Sequence, residues 1–149
     1  MSKILLVYAS MTGNTEEMAD LVEEGVASEG VEVDKRDVMD VDISTIDEFD
    51  YIMLGAYTWG EGALPDEFLD LYDDMETHDL AGKTFAVFGT GDTSYTIYCG
   101  AVDLLEEVIK ERGGNLALEG LKVENLPEGD DKDRSVAFGA EFARLVKGE

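Results

Sequence analysis

Residues 3–22 read KILLVYASMTGNTEEMADLV, and the order of their parts decides the fold. Ile4-Leu5-Leu6-Val7-Tyr8 is an unbroken apolar run of strand length, the pattern of a strand buried on both faces. Ser10-Met11-Thr12-Gly13-Asn14-Thr15 interrupts it with hydroxyls, an amide and a glycine. Beyond that turn, Met18, Leu21, Val22 and Gly25 recur at i, i+3, i+4 and i+7, the period of an amphipathic helix. A buried strand, a short polar turn and a helix open a strand–helix–strand unit, whose return strand runs parallel to the first.

The alternation continues to the end of the chain. Val31 and Val33 alternate with Glu32 and Asp34 as in a short edge strand, and Tyr51 to Ala56 and Thr84 to Gly89 are again buried runs. Helical spacing returns at Phe68, Leu71, Tyr72 and Met75, at Val102, Leu105 and Ile109, and at Phe138, Phe142, Leu145 and Val146. A fifth strand is expected over Asn115 to Glu124, alternating at Leu116, Leu118, Leu121 and Val123 with an irregularity at Glu119-Gly120. The acidic connection from Asp37 to Asp50 holds room for a short helix around Ser44 to Glu48. Together these elements predict an α/β protein, a three-layer α/β/α sandwich around a five-stranded parallel sheet. At 149 residues with 44% apolar content, one domain over 1–149 is expected.

Composition narrows the function. Thirty-five acidic against eleven basic residues give a formal charge of −24, which repels nucleic acid and anionic membranes and favours basic protein partners. The same charge is compatible with simple solubility or with a salty cytoplasm. No apolar run approaches membrane-spanning length and no signal-peptide pattern precedes Ile4, so a cytoplasmic protein is expected. A single cysteine, Cys99, and a single histidine, His78, argue against a disulfide, a soft metal site or a Cys/His nucleophile pair.

Parallel sheets of this kind bind ligands beyond the carboxyl ends of their strands. The loops there are Ser10 to Thr15, Tyr57 to Gly62 and Thr90 to Gly100. In the first, free backbone N–H groups, a helix dipole, several hydroxyls and a glycine that permits close backbone approach suit a phosphate without any lysine or arginine. Gly82-Lys83-Thr84 mimics the tail of a nucleotide-triphosphate loop, but position 77 is Thr and a strand follows. Gly89-Thr90-Gly91 lacks the third glycine of a dinucleotide fingerprint, Ser94 standing in its place. The second loop, Tyr57-Thr58-Trp59-Gly60-Glu61-Gly62, carries the chain's only tryptophan. The third, Thr90-Gly91-Asp92-Thr93-Ser94-Tyr95-Thr96-Ile97-Tyr98-Cys99-Gly100, supplies Tyr95 and Tyr98. Trp59 and Tyr95 could sandwich a planar ring system by offset stacking, while Tyr98 is read as packing on the sheet.

On Thr12-Gly13-Asn14-Thr15, on Thr58-Trp59-Gly60, and on Gly91-Asp92 with Ser94-Tyr95 and Tyr98-Cys99-Gly100-Ala101-Val102-Asp103, the sequence resembles the flavodoxins of the short-chain class across essentially its whole length. The resemblance implies strand order 2-1-3-4-5 and a non-covalently bound flavin mononucleotide (FMN). Ser10, Met11, Thr12, Gly13, Asn14 and Thr15 would hold the phosphate. Trp59 and Tyr95 would cover the two faces of the ring, with Tyr57, Thr58, Gly60, Thr90 and Gly91 beside them. Backbone groups of Glu61, Asp92, Ile97 and Cys99 would meet its polar edge. The peptide after Gly60 would turn its carbonyl toward flavin N5, separating the two reduction steps.

The function so implied is a low-potential one-electron carrier, cycling between semiquinone and hydroquinone, monomeric and without catalysis of its own. A carboxylate ~10 Å from the flavin costs the second electron ~0.4 kcal/mol in water, about 18 mV, so half a dozen sum to roughly 100 mV. Glu61, Asp66, Glu67, Asp70 and Asp92 are candidates for docking basic-faced reductases and acceptors. A phosphorylated receiver domain of the same broad fold fails at Ala9-Ser10 and Ala56-Tyr57-Thr58, where it needs acidic residues. A quinone or azo reductase generally needs a longer chain. A flavin-free interaction module leaves Trp59, Tyr95 and the phosphate loop without a purpose.

Overall fold

Apolar strand runs separated by amphipathic helices leave each sheet face to be covered by helices, and the chain does this in order. The computed structural model describes residues 3–9, 14–57, 66–91, 100–124 and 129–148. Its elements are β1 (Lys3–Ala9), α1 (Asn14–Ser28), β2 (Glu32–Asp37), α2 (Ile43–Asp47), β3 (Tyr51–Tyr57), α3 (Asp66–Met75), β4 (Thr84–Gly91), α4 (Gly100–Glu111), β5 (Asn115–Leu116), β6 (Leu121–Glu124) and α5 (Asp130–Lys147). A 3₁₀ turn over Val38–Asp40 follows β2. The strands lie in the order β2-β1-β3-β4-β5, all parallel, with β6 also on β4. The expected 2-1-3-4-5 order is therefore present.

Ile4, Leu5, Leu6 and Val7 are all fully buried because the sheet is covered on both faces. Leu5 and Val7 join Phe68, Leu71, Leu105 and Ile109 on the α3/α4 side. Ile4 and Leu6 join Met18, Val22, Phe138 and Phe142 on the α1/α5 side. Each such side chain contributes about 1.5–3 kcal/mol on burial. The crossing of α1 and α5 is unusually close: a Cβ on Gly25 would overlap the Val136 carbonyl oxygen, and one on Gly139 would overlap that of Val22. Two glycines thus set how near α1 lies to its neighbour.

Three expectations need correction. The edge strand β2 runs on to Asp37, through Glu-Val-Asp-Lys-Arg-Asp, because its backbone pairs with β1 from Lys3↔Glu32 to Tyr8↔Asp37. Its charges are met locally, Lys35 by Asp20 and Glu23 and Arg36 by Asp34 at 2.7 Å. The fifth strand is broken more widely than at Glu119-Gly120, into β5 and β6. Leu116 packs with the α3/α4 cluster but Leu118 with the α1/α5 cluster, an inversion that two-residue strand alternation forbids. Gly120 donates its N–H to Glu106 Oε2 at 3.1 Å within this break. Leu145 is 42% exposed, since the buried face of α5 centres between Gly139 and Phe142 and Leu145 falls at its margin. The short helix expected near Ser44 is α2, capped by Asp42, whose carboxylate accepts from Thr45 N at 3.1 Å.

Candidate functional site

Strand order reverses between β1 and β3, and this positions the site. From β1 the chain crosses by α1 on one face to β2, and from β3 it crosses by α3 on the other face to β4. The two connections diverge and leave a crevice at the carboxyl edge. Register holds its rim level, with Ala9 opposite Ala56, Ala56 opposite Gly89, and Tyr57 opposite Thr90.

Three strand ends meet there. Segment 10–13 leaves β1 at Ala9, segment 58–65 leaves β3 at Tyr57, and segment 92–99 leaves β4 at Gly91. Ser10, Met11, Thr12 and Gly13 lie outside the described residues, as do Thr58, Trp59, Gly60 and Glu61, and Asp92, Tyr95, Ile97 and Cys99. The remaining candidates frame the crevice. Asn14 is the first residue of α1 and Gly91 the last of β4. Tyr57, the last of β3, is partly buried against the α3/α4 cluster.

Thr15 and Thr90 are buried at 0% and 2% exposure. Their hydroxyls lie 2.8 Å apart, joining the first turn of α1 to the end of β4 across 75 residues of sequence. Neither loop reading pairs them. The available signal was that both are short hydroxyl residues adjoining the two loops that the fold brings together.

The helices α1 and α4 begin at this edge of the sheet. On α4, Asp103 in the first turn pairs with Lys122 of β6 at 2.8 Å, and Glu106 holds Gly120. A Cβ on Gly89 would overlap the Ala56 carbonyl oxygen and lie 2.6 Å from Val102 Cγ2, so α4 docks where β4 carries no side chain. On α1, Glu16 and Glu17 occupy the first turn, favourably placed for the helix dipole. The phenol of Tyr8 is pushed up by burial and then by the negative charge of Glu16 and Asp37.

The donor set suits a small anion. The first-turn N–H groups of α1 have no intrahelical acceptors, and the two hydroxyls of the Thr15–Thr90 pair bring two protons to one mutual bond. A phosphate monoester fits such donors, and the buried strand ends beside them suit an apolar ring.

Other features lie elsewhere. Lys83 donates to the Phe49 carbonyl at 2.7 Å and Thr84 begins β4, so Gly82-Lys83-Thr84 is a turn into a strand. His78 Nε2 lies 2.7 Å from Asp47 Oδ1, away from the crevice. A recess of about 550 Å³ opens at the opposite edge of the sheet, among Lys3, Asp34, Arg36 and Phe49. Among the described residues no group of acidic, His or Cys side chains is placed to hold a metal ion, and no helix is long and apolar enough to cross a membrane.

Comparison with known proteins agrees with this geometry. A family model described as Flavodoxin matches residues 6–139. The chain is 54% identical over 145 residues to the Bacillus subtilis (strain 168) protein named Probable flavodoxin 2, covering 97% of this chain and 96% of that one. It is 40% identical over 149 residues to the flavodoxin of Maridesulfovibrio salexigens, covering 98% and 100%. The crystal structure of oxidised flavodoxin 1 from Bacillus cereus superposes with a TM-score of 0.91 at 49% identity, covering 96% of this chain and 98% of that one.

Proposed function

The chain belongs to the flavodoxin family, FMN-binding electron carriers that serve redox partner proteins and are not enzymes, and from that premise we propose how its own residues do the work. Ser10, Met11, Thr12, Gly13, Asn14 and Thr15 hold the phosphate through hydroxyls and the N–H groups at the start of α1. Trp59 and Tyr95 cover the ring and exclude water, with Tyr57, Thr58 and Gly91 beside them. Backbone groups of Glu61, Asp92, Ile97 and Cys99 fix its polar edge, the Cys99 thiol taking no part. The bound flavin supplies the one-electron chemistry, and the protein tunes it.

Gly60 lets the peptide after it present either its N–H or its carbonyl to flavin N5, because it has no Cβ to restrict the turn. A carbonyl there would accept a hydrogen bond from an N–H at N5, which would favour transfer of one electron at a time. The negative charge of the chain, with Glu16 and Glu17 already in the first turn of α1, opposes the second electron and makes that couple low in potential. The acidic residues Asp66, Glu67 and Asp70 of α3, with Glu61 and Asp92, are the candidates for docking basic-faced partners. The functional unit is a single-domain monomer, and it works in the cytoplasm.

What supports this reading above all is the crevice where the strand order reverses, since every candidate residue lies in or beside the segments that leave its rim. The test is stepwise anaerobic reduction followed by visible absorption. A yellow protein whose long-wavelength absorbance rises to a maximum near half reduction and then falls supports a one-electron carrier. Direct bleaching without that band refutes the one-electron assignment, and failure to take up FMN refutes the reading as a whole.

A further inference from the structure

Resting on the FMN-binding reading, we infer that Thr90 is a positioning residue for the phosphate site: its hydroxyl donates to Thr15 and thereby frees and aims the Thr15 proton toward the phosphate. The argument is a count of protons. A threonine hydroxyl brings one donor and two acceptor lone pairs. In the Thr15–Thr90 pair, 2.8 Å apart, one hydroxyl donates and the other accepts, so one proton remains. Both side chains are buried, at 0% and 2% exposure, so water does not take it up freely. Among the described residues neither hydroxyl has a second side-chain partner.

Position decides which proton that is. Thr90 stands in β4, with Val123 as its register partner on β6, and the Thr15 hydroxyl is its hydrogen-bond partner among the described residues. Thr15 stands in the first turn of α1, the end of the helix whose N–H groups have no intrahelical acceptors. Donation from Thr90 to Thr15 uses Thr90's only proton where it has a partner and leaves Thr15's for the anion side. A hydroxyl that accepts one hydrogen bond also donates a stronger one. Thr90 thus acts on the phosphate through Thr15 and does not touch it. Because Thr90 is one residue from the end of β4, the same bond ties the phosphate side of the crevice to the strand that leads into segment 92–99.

The experiment compares the affinity of the apo-protein for FMN and for riboflavin, which differs by lacking the phosphate, by quenching of flavin fluorescence. Thr90→Val keeps the shape and removes the donor. It is expected to weaken FMN about fivefold, the effect of one neutral hydrogen bond, and riboflavin by under about twofold. Thr90→Ser is expected to restore FMN binding. In a Thr15→Val background, Thr90→Val is expected to weaken FMN no further, because the proton it orients is gone. Equal losses for FMN and riboflavin, or additive effects of the two valines, would overturn the assignment and leave Thr90 a packing residue. No change in either affinity would overturn it as well. A wild-type chain that takes up no FMN would overturn the parent reading and this one with it.

Discussion

Replacing Gly139 by alanine puts two well-known effects in opposition, and the structure decides between them. Gly139 lies inside α5, an eighteen-residue helix, where alanine is intrinsically favoured by about 1 kcal/mol. On propensity alone the substitution stabilises. The new methyl, however, would sit 2.9 Å from the Val22 carbonyl carbon and 3.1 Å from its Cα, and would overlap the carbonyl oxygen. Carbon atoms rest about 3.5 Å or more apart, so the carbon contacts alone require α1 and α5 to separate by about half an ångström, and the oxygen requires more. No side-chain rotation relieves the clash, because the obstacle is helix backbone. Overpacking of this kind costs about 1–3 kcal/mol, and a backbone obstacle belongs at the upper end. Set against the propensity gain, the net loss is about 2 kcal/mol. With a urea m-value of about 2 kcal/mol/M for a chain of this size, the midpoint of unfolding falls by about 1 M with m unchanged. FMN affinity falls too, since a displaced α1 stretches the Thr15–Thr90 contact. A Gly139→Ala protein as stable as the parent, or more so, would refute the reasoning and show that the helices have room to part.

Removing the α2 cap with Asp42→Ala is expected to cost about 1 kcal/mol in urea unfolding, because Asp42 accepts from Thr45 N and from the Ser44 hydroxyl. Stability should fall in acid for a definable reason: the hydrogen bond from Arg36 holds the Asp34 carboxyl below the usual carboxylate range. A depressed folded-state value means that Asp34 contributes fully above its unfolded value near ~3.9 and loses that contribution as pH falls through the folded value. Asp34→Asn should therefore be less stable than the parent at neutral pH, with the gap closing below about pH 4; a gap constant with pH would contradict this. With a net charge of −24, the melting temperature should rise as added salt shortens the screening length from ~30 Å at 0.01 M to ~8 Å at 0.15 M. A fall would mean that ion pairs such as Lys122–Asp103 at 2.8 Å outweigh the repulsion.

Much was legible in the sequence because it rests on local periodicity. The buried run at Ile4–Val7, the helical spacing from Met18, and the strands at Tyr51 and Thr84 each report how one segment divides its faces between core and water, so fold class and element order followed. The candidate loops were chosen for a related reason, since strand carboxyl ends are where such sheets bind. Other features depend on which distant residues meet. The charged strand β2 forms because β1 offers it a backbone partner, against its composition. The fifth strand breaks where Gly120 turns its N–H to Glu106 of α4. Gly25 and Gly139 are disfavoured in a helix by propensity, and only the crossing of α1 and α5 makes each one required. Thr15 and Thr90, 75 residues apart, become one buried hydrogen-bonded unit only when α1 and β4 are packed together. Periodicity is a property of a segment and is carried by the sequence itself, whereas a close approach or a shared proton belongs to two segments and exists only once the tertiary structure has brought them within a few ångströms.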